Sequence, residues 1–75
     1  MKEKKIVFHI HQLLTERNMS MRELGRLSDI DISKLSPLVN GKRQRVDIGH
    51  LQRIAEALDL DDINSMISIE TVENE

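Results

Sequence analysis

The side chains that could do chemistry are few and scattered. His9 and His11 stand two apart, so on a strand they would share a side, but zinc needs further ligands and no other residues have the spacing to supply them. Asp59, Asp61 and Asp62 lie close together without the regular ligand pattern and glycine of a calcium loop, and they suit helix capping better. Gly25, Gly41 and Gly49 are isolated, so no glycine-rich loop cradles a phosphate. No nucleophile, base and orienting acid can be assembled. Cysteine is absent, which removes a disulfide framework and a cysteine metal site. The expectation is therefore no enzyme, no metal and no cofactor. What remains is a basic run, GKRQRV, in which Lys42, Arg43 and Arg45 form the densest positive patch, with Asn40 beside them. Such a patch suits phosphate contacts, which position a protein on a duplex without reading its sequence.

The elements that must position this patch begin with the stretch Ser20 to Gly41, SMRELGRLSDIDISKLSPLVNG. Ser20 followed three residues later by Glu23 has the form of a capping box, each side chain able to satisfy a free backbone N–H of the other. A helix over about 21–28 follows, with Leu24 and Leu27 on its apolar side. Asp29 falls where the chain must turn. Asp31 can cap a second helix over about 32–39, whose buried side is Leu35 and Leu38. Asn40 and Gly41 end it, since both accept the left-handed conformation common after a last turn. Gly25, inside the first of these helices, signals close packing against another helix. Pro37 lies past the first turn of the second, where it removes an N–H and should bend or tighten the helix. Two helices about three residues apart fit a helix-turn-helix, which commonly docks its second helix in a DNA major groove.

On either side, Leu13 and Leu14 belong to a helix from about His9 or Ile10 to Arg17. Ile6, Phe8 and Ile10 alternate with Val7 and His9 as a short strand would, although a helix starting near Lys5 fits the same residues. Ile67, Ile69 and Thr71 share one side of a second strand-like run. Since a lone strand is not stable, residues 5–9 are expected to pair with 67–71, within the chain or between two copies. Asp47 can cap a helix from Ile48 to about Asp59 with a buried stripe of Ile48, Leu51, Ile54, Ala55 and Leu58. His50 and Arg53 read as surface residues. A last helical turn starts at Asp61 or Asp62 and runs through Ile63 to Met66, and residues 1–4 and 72–75 are expected to fray.

Seventy-five residues make one small domain, 1–75, which buries only about 60–65% of its extended surface. Phe8 is the single aromatic, so the core must be aliphatic. No run approaches the roughly 18 apolar residues of a membrane span, and IVFHI is too short and polar-flanked for a signal peptide core; a cytoplasmic protein without a membrane partner is the expectation. The net charge of −2 hides a split. All eleven Lys and Arg residues lie within 1–53 against six acids, while 54–75 holds seven acids and no base. A basic body and an acidic end suit one surface facing DNA and another facing away.

From about Ile10 to Ile63 the chain resembles the lambda repressor/Cro-type (XRE-like) helix-turn-helix family of bacterial and phage regulators. The segments that carry the resemblance are LLTERNMS, SMREL, LSPLVNGK and HLQRIAEALDL. It looks most like small stand-alone members, some of which carry short terminal strands. The resemblance implies an all-α, five-helix domain that binds double-stranded DNA as a homodimer on a palindromic operator. It places base reading at Ile32, Ser33, Ser36 and Pro37, and backbone contacts at Met21 (where relatives often have Gln), Asn40, Lys42 and Arg43; the basic run adds Arg45. Asp29 stands where the family's turn usually has glycine, and Gly25 where it usually has alanine. Ile32 and Pro37 cannot make the bidentate contacts that discriminate base pairs, although Ile32 could touch a thymine methyl and the serines a base edge. The expectation is a sequence-specific transcriptional regulator, a repressor. The alternative is an antitoxin-like or adaptor module on the same fold, with a protein partner instead. Dimerisation is expected through Ile6, Phe8, Ile67 and Ile69, or through an apolar patch near Ile63 and Met66.

Overall fold

The computed structural model describes residues 2–41 and 45–73. In chain order these form β1 (Lys2–Phe8), α1 (Ile10–Glu16), α2 (Met21–Ser28), α3 (Ile32–Val39), α4 (Ile48–Leu58), a 3₁₀ turn (Ile63–Ser65) and β2 (Ile67–Glu73). The five helices implied by family resemblance become four α-helices and this single 3₁₀ turn. The chain must reverse within a few residues of α4 to return as β2, which leaves space for one tight turn capped by the Asp62 carboxylate on the Asn64 N–H at 2.9 Å.

The ambiguity at the N-terminus resolves as a strand. β1 and β2 pair antiparallel, with Ile6 opposite Ile69, Phe8 opposite Ile67, and Lys5 opposite Glu70. Both strands run further out than expected: residues 2–4 and 72–73 belong to the ladder, while β1 ends at Phe8. The reason is electrostatic and local. Lys2 lies 3.8 Å from the Glu73 carboxylate, and the Lys4 ammonium donates to the Thr71 hydroxyl at 2.6 Å. Part of the charge split along the chain is therefore cross-strand complementarity between its two ends. His9 follows the strand, its backbone N–H donating to Met66 C=O at 2.7 Å and its imidazole lying 2.6 Å from the Ser68 hydroxyl. His11 is already on α1, so the two histidines do not share a strand face.

Between the strands and the turn sits an aliphatic core. Ile10, Leu24, Leu35 and Ile54 are wholly enclosed, one from each α-helix, and Leu13, Leu14, Ile30, Leu38, Val39, Leu51, Leu58 and Met66 complete it. Phe8 packs against its edge. Burying one such side chain stabilises the fold by about 1.5–3 kcal/mol. Met66 is thus a core residue, not part of an exposed patch. Two expected core residues lie outside it: Leu27 is 45% exposed and Ile48, the first residue of α4, is 72% exposed. Periodicity puts both on the apolar side of their helices, but among the described residues no side chain covers them. At the far end of the domain Arg17 ties α1 to α4 by donating to the Leu58 carbonyl at 3.3 Å.

Candidate nucleic-acid interface

The helix-turn-helix is built by short-range chemistry. The Ser20 hydroxyl accepts from the Glu23 N–H at 3.1 Å and starts α2. The reciprocal half of the expected capping box is replaced: the Glu23 carboxylate takes two bonds from the Arg26 guanidinium one turn on. That partner holds the Glu23 carboxyl below its ordinary range and raises Arg26. Asp29 ends α2 with φ of 56°, a left-handed residue where a glycine would be expected, and Asx side chains tolerate that conformation better than most. Ile30 then drops into the core while its N–H returns to the Gly25 carbonyl at 3.1 Å. Asp31 caps α3 through the Ser33 N–H at 3.3 Å.

The angle between α2 and α3 depends on Gly25. A Cβ there would lie 3.1 Å from the Ile30 carbonyl oxygen and 3.6 Å from the Leu35 side chain, so the turn and α3 close onto a bare backbone. A third element braces the same turn. Arg53, on α4, donates to the Asp29 carbonyl at 3.2 Å across 24 residues of chain. Sequence reading treats Arg53 as a solvated surface residue; the acceptor is a backbone carbonyl far away in sequence, and no local pattern marks it.

With Leu35, Leu38 and Val39 turned inward, the outer side of α3 carries Ile32, Ser33, Lys34 and, at the C-terminal end, Asn40, with Ser36 and Pro37 half-buried beside them. Pro37 stays inside the helix, supplying no N–H toward Ser33. Asn40 has φ of −84°, so the left-handed conformation falls on Gly41 alone, at 69°. The Asn40 amide instead donates to the Ser36 hydroxyl at 3.4 Å, joining two of the expected contact residues. Met21 is half-buried against the core edge. Lys42 and Arg43 lie outside the described residues.

A profile of the Cro/C1-type helix-turn-helix DNA-binding domain matches residues 9–67 of this chain. The chain belongs to that family. No curated protein and no solved structure matches it. The matched span of this Cro/C1-type domain takes in all four α-helices and the 3₁₀ turn, and leaves nearly all of β1 and β2 outside.

Beside α3 the Cro/C1-type domain has a feature that the sequence reading passes over. A groove of about 440 Å³ runs between α3 and the start of α4, lined by Lys34, Leu38, Arg45, Val46, Asp47 and His50. Three basic side chains converge there, and only Arg45 is among the residues expected from sequence. Lys34 could have been found: it sits one turn before Leu38, which puts it on the flank of α3 that adjoins the following loop. His50 lies 3.9 Å from the Asp47 carboxylate one turn before it, a local pair, but its place in the groove depends on how α4 meets α3. On the other flank, Arg22 and Arg26 of α2 border Gly25, Ile30 and Ile32 in a smaller groove of about 370 Å³. The outer side of α3 is thus nearly neutral, with cationic groups on both sides.

Proposed function

We propose that the chain is a sequence-specific transcriptional regulator, a repressor that binds a palindromic operator as a homodimer. The observation that supports this most is the outer side of α3: a neutral row of Ile32, Ser33, Ser36 and Asn40 bordered by Lys34 and Arg45 on one flank and Arg22 and Arg26 on the other. With α3 in a major groove, the flanking cations meet phosphates on both sides and supply salt-dependent affinity. The neutral row then meets base edges. Ile32, 43% exposed, offers methyl groups to a thymine, and Ser33 and Ser36 offer hydroxyls to base edges or phosphates. Asn40, Lys42 and Arg43 contact backbone at the end of α3, Met21 touches it from the start of α2, and Pro37 contributes shape only.

Two copies would set their α3 helices one helical turn of DNA apart, about 34–36 Å. Selection from a pool of random duplexes at near-physiological salt tests the reading, and enrichment of a palindrome with that half-site spacing is the expected result. Because neither Ile32 nor Pro37 can hydrogen-bond a base edge, absence of enrichment with the protein folded would favour the adaptor reading, in which this surface meets a protein.

A further inference from the structure

Four of the exposed large apolar side chains lie on one surface away from the α3 row: Ile6 at 57%, Ile69 at 67%, Ile48 at 72% and Ile63 at 54%. Ile6 and Ile69 are cross-strand partners, so they point to the same face of the ribbon, as do their neighbours Phe8 and Ile67. A groove of about 490 Å³ runs between that face and the start of α4, floored by Val46 and Leu51 and reaching Gly41 at the end of α3. Ile48 forms a ridge on its far side. Beyond the ridge a second groove of about 240 Å³ continues past Leu51 and Ala55 to Ile63, and its outer wall is Asp61 and Asp62.

The same ribbon face carries Lys4 outward of Ile6, and beyond it Lys2 already paired with Glu73. This surface therefore runs from the Lys4 ammonium, through a ridge of isoleucine between two apolar grooves, to a pair of carboxylates. Such an order is complementary to itself under a two-fold rotation. A second copy related by a two-fold axis at Ile48 brings its carboxylates to Lys4, sets the two Ile48 side chains against each other and covers the flanking grooves, which is what an isologous interface requires. The two-stranded ribbon also needs such cover, since seven-residue strands paired only with each other are marginal in water.

We infer that this face, centred on Ile48 and bounded by Lys4 and Asp61, is the surface on which a second copy of the chain docks. The inference rests on the homodimer reading and is independent of the operator sequence. The ribbon and the start of α4 act as one docking unit, and the positive and negative ends set the orientation of the two copies.

Sedimentation equilibrium of the full chain tests it, with helix content followed by circular dichroism. The wild-type protein should have twice the chain mass, and Ile48→Glu should weaken association at least about tenfold with unchanged helix content, because it would bury an unpaired carboxylate. Lys4→Glu and Asp61→Lys should each weaken self-association, and a mixture of the two should associate more tightly than either alone, which no loss of folding could produce. A wild-type chain that stays monomeric to millimolar concentration would overturn the homodimer reading itself. A wild-type dimer left intact by Ile48→Glu, with no preference for the mixed charge variants, would overturn this face while leaving the homodimer reading in place. Retained half-site binding by Ile48→Glu keeps both results distinct from a failure to bind DNA.

Discussion

The α3 row and the ribbon face are positioned in opposite ways. The α3 row is rigid by inheritance: Leu35 is wholly enclosed, Leu38 and Val39 nearly so, and the preceding turn is tied by Gly25, Ile30 and Arg53. The ribbon face has no such backing beyond Phe8 and Ile67. Its tip is held by strand pairing and by the contacts of Lys2 and Lys4. One surface is polar and placed by a core; the other is apolar and exposed, its isoleucines covered by nothing among the described residues. A surface that must match a fixed groove spacing needs the first kind of support. A surface that gains its cover from another molecule can do without it.

Leu35→Ala gives the largest effect and breaks the comparison from one side. It should cost about 2–5 kcal/mol of stability by emptying a site under α3, read from the denaturant midpoint. Ile69→Thr breaks it from the other side. On the monomer it should change stability by less than about 0.5 kcal/mol, as exposed positions generally do, while reducing self-association. Equal destabilisation by both would mean that the ribbon face is backed by the core after all.

Gly25→Val sharpens the account of the turn. Its Cβ would meet the Ile30 carbonyl at 3.1 Å, so α2 and α3 must separate. Destabilisation of about 1–3 kcal/mol is expected from overpacking, together with weaker DNA binding at matched folded fraction. Lys34→Ala should leave stability unchanged and lower the slope of log affinity against log salt by about 1, uniformly across DNA sequences. An unchanged slope would remove Lys34 from the interface.

The smallest effect is on pH. The Arg26 guanidinium lowers the Glu23 pKa from its ordinary value of 4.5. The pair therefore contributes stability above that value, lost as pH falls through the lower folded pKa. Arg26→Met should flatten the acid limb of the stability curve slightly, and because Glu23 is open to solvent the change will be small.

Much of this fold is legible in the sequence where the chemistry is local. Ser20, Asp31, Asp47 and Asp62 each cap the element that follows, because an oxygen on a short side chain reaches an N–H two or three residues on. The terminal strands are legible from alternation and from the need of each for a mate. What depends on a neighbour is not. Ile48 and Leu27 have the spacing of core residues and lie outside it, since periodicity names a side of a helix but not what stands opposite. Glu23 prefers Arg26 to the Ser20 N–H, a competition between two nearby donors. At the proposed interface, Ser33, Ser36 and Ile32 follow from α3 alone, whereas the groove of Lys34, Arg45 and His50 exists only once α4 is packed beside it.

The most direct test of the central claim is to titrate a selected duplex with the protein across a range of salt concentrations, beside a scrambled duplex of equal length. The account predicts binding to the selected duplex at least about 10³-fold tighter, with Ser33→Ala and Ser36→Ala together reducing that preference and Lys34→Ala weakening both duplexes alike. Equal affinity for the two duplexes, or binding indifferent to salt, would contradict it.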